Sequence, residues 1–156
     1  MNIEKVWIEK EIIVDEIGVR GYADLIVLFD NGQVHLFDIK TMGSYQYRLK
    51  FGRNKSPNPS IHQELQLATY AIGIKEWLGR IDGIWICAYN KDNSYINYYD
   101  IDLEMMYAAR NFWKRVGQQH KVGLPYKEKG TSPVMEWECK YCNFLDRCDN
   151  DERNGK

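Results

Sequence analysis

Two acidic residues and one lysine form a set able to do chemistry. Asp38-Ile39-Lys40 closes an apolar strand that starts at Val34, and Asp24 lies on the strand before it. Side chains alternate along a strand, so Asp38 and Lys40 share one face while Ile39 takes the other. Charges at the end of a run as apolar as Val34-His35-Leu36-Phe37 are costly unless paired or bound to metal. A hairpin between the two strands sets Asp24 beside Asp38, near enough for both carboxylates to share a divalent cation. A hard cation such as Mg²⁺ or Mn²⁺ takes oxygen ligands, and the Ile39 carbonyl adds one. Lys40 beside it is placed to orient or deprotonate water and to offset charge developing on a phosphate. An Asp-x-Lys triplet alone is weak, and its bland alternative is a solvated strand end with a casual ion pair. Its context strengthens it: Gly21 precedes Asp24 by three, and the next helix carries a polar stripe of His62, Gln63, Gln66 and Tyr70.

The elements that must position these groups follow from periodicity and turn signals. Residues 3–14 and Val19–Phe29 read as strands. Asp30-Asn31-Gly32 is a tight turn with positive φ expected at Asn31 and Gly32, and Val34–Lys40 returns as the third strand of a meander. Thr41–Ser60, with Gly43, Gly52, Pro57 and Pro59, reads as a long loop. Ser60 and Gln63 suggest a capping box for a helix ending near Gly79. Ile81–Asn90 and Tyr95–Ile101 form another hairpin, with Cys87 as a small core residue, and Asp102 caps a helix through about Val116. From Gly117 a loop-rich tail carries Cys139, Cys142 and Cys148, next to Trp137, Tyr141 and Phe144. The order β-β-β-α-β-β-α implies an α/β domain with a central mixed sheet flanked by helices.

At 156 residues the chain has room for one domain, read as a core over 1–116 and a cysteine-containing tail over 117–156. A net charge of −1 means that nucleic-acid binding would need a local basic patch. Thr41–Ser60 supplies one: Arg48, Lys50, Arg53 and Lys55 without an acid, interleaved with Tyr45, Tyr47 and Phe51. Cations for phosphates and aromatics for bases are what a single-strand groove requires. The longest apolar run, Ile84–Tyr89, is far below the ~20 residues of a membrane span. The start, MNIEKVWIEKE, has no secretory apolar core, so the expected location is the cytoplasm.

Gly21-Tyr22-Ala23-Asp24, Asp38-Ile39-Lys40-Thr41 and Gln66-Leu67-Ala68-Thr69-Tyr70 resemble the PD-(D/E)XK nuclease superfamily. The RecB-type branch, with its AddB nuclease domains, CRISPR-associated RecB-like exonucleases and phage relatives, uses G-x-x-D, D-x-K-T and Q-x-x-x-Y in this order. Many members end in C-x2-C-x5-C, the spacing of Cys139, Cys142 and Cys148. The resemblance covers about residues 9–148. It implies a restriction-endonuclease-like fold and metal-dependent hydrolysis of DNA phosphodiesters, by an exonuclease or end-processing enzyme of a bacterial, archaeal or phage-infected cell. Asp24, Asp38 and the Ile39 backbone would hold Mg²⁺ or Mn²⁺, Lys40 would be catalytic, and Gln66 and Tyr70 would contact DNA and support the site. The DNA would be single-stranded or carry free ends.

Two departures from the pattern matter. Members usually begin with a helix bearing a metal-ligating His, whereas this sequence opens at about the first strand. Strand parity puts His35 opposite Asp38, so Glu9 or Glu11 is the candidate substitute carboxylate. Members with a [4Fe–4S] cluster take a fourth cysteine from that N-terminal region, and Cys87, mid-strand, is a poor replacement. The tail could hold an incomplete cluster, one closed by another ligand, or zinc with His120 or a residue from another chain. The alternatives to catalysis by this chain as a DNA end-processing enzyme are a nuclease-like module that binds DNA or a partner without cutting, and a restriction-type endonuclease. A protein partner or self-association would supply elements not visible here.

Overall fold

The computed structural model describes residues 1–53, 61–122 and 136–153. They form two compact units, 1–114 and 115–156. The first holds a five-stranded sheet, β1 (Ile3–Val14), β2 (Val19–Phe29), β3 (Val34–Met42), β4 (Gly83–Asn90) and β5 (Ile96–Ile101), ordered β1-β2-β3-β4-β5. Only β3 and β4 pair in parallel, and the chain between them carries α1 (Ser44–Phe51) and α2 (Ile61–Leu78). This is the mixed sheet flanked by helices that the element order implied, an α/β restriction-endonuclease-like arrangement. Among the described residues no helix is long and apolar enough to cross a membrane.

Alternation along β3 and β4 sends Val34, Leu36, Ile84 and Ile86 to one face, where they are buried in one core with α2. Each such side chain contributes roughly 1.5–3 kcal/mol when fully buried. Helix α2 is buried beyond a single stripe, with Leu65, Leu67, Ala68 and Ala71–Ile74 all inside. Trp113, on α3 (Met105–Val122), donates its indole N–H to Thr69 at 2.9 Å. Gly79, at φ +80°, stops α2 where expected, while the Ser60 cap lies outside the described residues.

Along the opposite face runs an aromatic row, with the rings of His35 and Phe37 both stacked against Trp85, and Trp85 edge-on to Tyr98. Trp85 donates to His35 Nδ1 at 3.0 Å, so His35 is occupied away from Asp38, as parity required. Burial holds the His35 pKa below its ordinary value. Cys87 belongs to this outer face and is half-buried, which corrects its reading as a core residue.

Three local expectations are also corrected. The β2–β3 loop has positive φ at Gly32 (+80°) but not at Asn31. Phe29 N–H bonds to Gln33 O at 2.9 Å, giving a three-residue loop with one left-handed residue rather than a two-residue turn. The segment read as a loop after Lys40 continues β3 to Met42 and then forms α1. Helix α3 runs through Gly117 to Val122, because one glycine costs about 1 kcal/mol against neighbouring helix formers.

The second unit contains α4 (Glu136–Cys139) and α5 (Leu145–Arg153). Between them Cys142 N–H bonds to Cys139 O at 3.2 Å and Cys148 N–H to Phe144 O at 3.0 Å.

Candidate active site

The hairpin of β2 and β3 is in register with Leu25 opposite Phe37 and Ile26 opposite Leu36, so the next step brings Asp24 level with Asp38. The Asp24 carboxylate accepts the Ile39 backbone N–H at 2.8 Å, which ties the two strands at the site. Asp38 faces the helix side and is 4% exposed. Its neighbour two residues on, Lys40, donates to Oδ1 at 3.1 Å and stands 2.8 Å from Oδ2. The second approach lacks the direction of a hydrogen bond, so Oδ2 is buried with an ion pair but no bonded donor. Burial pushes the Asp38 pKa above the ordinary carboxylate value; Lys40 opposes that shift, and the Asp24 charge adds to it.

Helix α2 completes the group. Lys40 Nζ also donates to Gln66 Oε1 at 3.4 Å, and Gln66 Nε2 donates to the Tyr70 hydroxyl at 3.1 Å. Gln66 and Tyr70 are one turn apart, the spacing that brings side chains together on a helix. Asp24, Asp38, Lys40, Gln66 and Tyr70 thus converge from three elements that the sequence separates by up to 46 positions. A half-buried carboxylate, a buried one and an ammonium on two adjacent interior strands of the sheet are suited to holding a hard cation and an activated water against a phosphate.

Two other sets do not converge. Glu11 pairs with Arg20 at 3.7 Å. Glu9, at φ +49°, is exposed, and β1 exchanges faces around it, since Trp7 before it and Ile12 and Val14 after it all pack on the core. Among the described residues no group of three or more His, Cys, Asp or Glu is arranged to hold a metal. That covers Glu9 and Glu11 as a third carboxylate, and also the three tail cysteines. Cys142 Sγ accepts the Phe144 N–H at 3.4 Å, and Tyr141 and Phe144 are exposed rather than forming a pocket. The side chains of His120 and Trp137 lie outside the described residues.

The basic segment divides. Arg48 and Arg53 are exposed, as is Tyr45. Lys50 turns inward, its ammonium 3.5 Å from the Tyr99 ring centroid and 3.5 Å from Glu64. Burial lowers its pKa, against the pull of Glu64. Its ammonium is therefore enclosed between a ring and an acid, unlike the side chains of Arg48 and Arg53. Lys55 lies outside the described residues. The local reading missed Asp92, whose carboxylate accepts the Ser44 N–H at 2.6 Å and caps α1 from the β4–β5 turn. The signal available was Asn90, a polar residue closing an apolar strand; it is 2% exposed and accepts from Ser44 Oγ and Asp92 N.

A family model for the PD-(D/E)XK nuclease superfamily matches residues 3–149. Among solved structures, SSO0001 is 25% identical over 93% of this chain and 61% of its own, with a TM-score of 0.49. An exonuclease candidate from Eubacterium rectale is 14% identical over 90% of this chain and 51% of its own, with a TM-score of 0.56, a likeness of fold. The chain therefore spans between half and two thirds of the length of these two proteins. No curated protein matches it.

Proposed function

This chain belongs to the PD-(D/E)XK nuclease superfamily, and on that premise we propose that it is a metal-dependent deoxyribonuclease, an exonuclease or end-processing enzyme that hydrolyses phosphodiester bonds. The observation that carries this reading is Asp38: a carboxylate 4% exposed, with one oxygen lacking a bonded donor, beside a second carboxylate and a lysine. Asp24, Asp38 and the Ile39 carbonyl would hold Mg²⁺ or Mn²⁺, whose contribution is Lewis acidity and a water of lowered pKa. Lys40 holds its ammonium where a water or a phosphate oxygen would sit, and Gln66 and Tyr70 support it. Arg48 and Arg53 neutralise phosphates of a strand on which Tyr45 stacks, so DNA with a single-stranded or free end is the substrate proposed. Such work belongs in the cytoplasm.

The test is cleavage of end-labelled single- and double-stranded DNA with Mg²⁺, Mn²⁺ or EDTA. Metal-dependent shortening from an end is expected. Cutting that survives EDTA, or none with either metal, ends the reading.

One observation favours a second reading, a nuclease-like module that binds DNA or a protein partner without cutting: the site gathers two carboxylates but, among the described residues, no third ligating side chain. Tight DNA binding without cleavage in the same assay would select it, and a partner or second copy supplying a ligand would restore activity on mixing. Iron–sulfur or zinc at Cys139, Cys142 and Cys148 is a separate proposal. Their spacing and the N–H···S bond to Cys142 support it. As arranged, the three sulfurs do not fit one ion, and no step of the reaction runs through them.

A further inference from the structure

The β1–β2 hairpin changes faces part-way along. On β1, Trp7 and Lys10 both reach the ring of Trp77 on α2, at 5.2 Å and 5.1 Å. On β2, Ile26 and Ala23 both lie in the core, and a Cβ on Gly21 would meet the Tyr70 ring at 2.6 Å. Residues three apart fall on opposite faces of a regular strand. Each strand therefore skips one step of alternation, yet the register runs from Lys5–Leu28 to Val14–Val19 with no inserted residue. Between the pairs Ile8–Leu25 and Lys10–Ala23, that level sets Glu9 across from Asp24. Glu9 is where β1 makes the change, because its φ of +49° is left-handed.

The effect on Asp24 is read from β3. In an antiparallel pair, hydrogen-bonded positions recur at every second residue. Phe29 bonds to Gln33, so the bonded positions continue through Val27–His35 and Leu25–Phe37. The next would join the Ile39 N–H to the Ala23 carbonyl. Instead the pairing stops at Leu25–Phe37, and the Ile39 N–H goes to the Asp24 carboxylate at 2.8 Å. A side chain has replaced the main chain as acceptor where β2 parts from β3 and stays with β1. Paired strands keep matching faces, so the change at Asp24 and the change at Glu9 belong together.

We propose that Glu9 is a positioning residue for Asp24, acting through its left-handed backbone and not through its carboxylate. The inference rests on Asp24 being a metal ligand of the proposed nuclease. Glycine and asparagine accept a left-handed φ, whereas a β-branched residue is strained there. A β-branched side chain at position 9 draws β1 toward regular alternation and pulls Asp24 off the Ile39 N–H. Glycine keeps the turn and removes the carboxylate.

The experiment is calorimetric Mn²⁺ titration of Glu9→Val, Glu9→Gly and Glu9→Asn, with amide hydrogen exchange by NMR in EDTA and thermal melts alongside. Glu9→Val is expected to raise the Mn²⁺ Kd about tenfold, because the competent arrangement is less populated. Exchange of the Ile39 amide should quicken about tenfold, while that of Phe37, in the pair the ladder keeps, stays within about twofold. Glu9→Gly and Glu9→Asn should remain within about twofold of wild type in both measurements. If Glu9→Val does not fold, Glu9→Thr, β-branched but smaller and polar at this exposed position, decides in its place. A folded β-branched variant that melts lower with Mn²⁺ affinity and Ile39 exchange unchanged overturns the proposal. So does a Glu9→Gly protein that binds Mn²⁺ as weakly as Glu9→Val, since the carboxylate would then be what matters. Asp24→Asn separates the layers: if it binds Mn²⁺ as tightly as wild type, the metal-site reading and this inference both fall. If it binds weakly while Glu9→Val matches wild type, only this inference falls.

Discussion

Strand β3 carries two carboxylate environments, one at its start and one at its middle, and the two are opposites. At its start Asp82 accepts the Val34 backbone N–H at 2.8 Å and Arg80 Nε at 2.8 Å, with a second Arg80 nitrogen on its other oxygen. Chiefly through the Arg80 bond, its pKa lies below the ordinary carboxylate value. At its middle Asp38 is more deeply buried, shares one lysine between its two oxygens, faces a second acid and has its pKa raised. The first arrangement satisfies an ionised group and fastens β3 to the chain entering β4. The second leaves an ionised group short of positive charge, a state that a bound cation relieves. On the proposed reading, a carboxylate that fastens the fold and one that would hold a cation differ in their unmet hydrogen bonds.

The largest test of this contrast is substitution of each carboxylate. Asp38→Asn should reduce metal-dependent cleavage by at least about a thousandfold, while Asp82→Asn stays within about threefold of wild type in the same assay. Stability should move the other way. A raised folded-state pKa means that the cation-free protein loses stability as pH rises from the ordinary carboxylate value through the elevated one. Asp38→Asn in EDTA should therefore melt at or above the wild-type temperature at pH 7, and the advantage should vanish in acid. A lower melting temperature at pH 7 would show that Asp38 is structural.

Metal titration sharpens the same point. Mn²⁺ or Mg²⁺ at one hundred times its dissociation constant should stabilise wild type by about 2.7 kcal/mol, read by calorimetry, and should do nothing for Asp38→Asn. Equal shifts in both proteins would place the cation elsewhere.

A smaller effect is expected in and just after α1, where neighbouring cations differ as the two carboxylates do. Arg48→Ala and Arg53→Ala together should reduce the salt slope of DNA binding by about 1–2, as two phosphate contacts are lost. Lys50→Ala should leave the slope unchanged and lower the melting temperature, because its ammonium packs on Tyr99 beside Glu64.

The smallest effect is at Asp82. With its pKa depressed, its stabilisation is present above the ordinary carboxylate value and is lost as pH falls through the lower one. Asp82→Asn should cost about 1 kcal/mol in denaturant melts at pH 7 and nothing measurable in strong acid.

What the sequence determined by itself was whatever a short window of chain decides. The strands β1, β2, β4 and β5 and the helix α2 lie within about two residues of where alternation and end signals put them, since side-chain period and glycine punctuation act locally. The pairing of Asp24 with Asp38 was legible for the same reason: a hairpin fixes register across a short loop. The rest depended on partners far along the chain. Helix α1 lies between Gly43 and Gly52, which read as loop residues, but its first turn is capped by Asp92, 48 residues away, and no local window contains that bond. Lys50 reads as a basic-patch residue until Tyr99 and Glu64 are seen to enclose it. Cys87 reads as core until the sheet is seen to leave its outer face half-open. The need for glycine at position 21 comes from a ring on α2, and the raised pKa of Asp38 comes from the water that packing removes. Steric exclusion and desolvation are properties of a place in space, so tertiary structure alone could decide them.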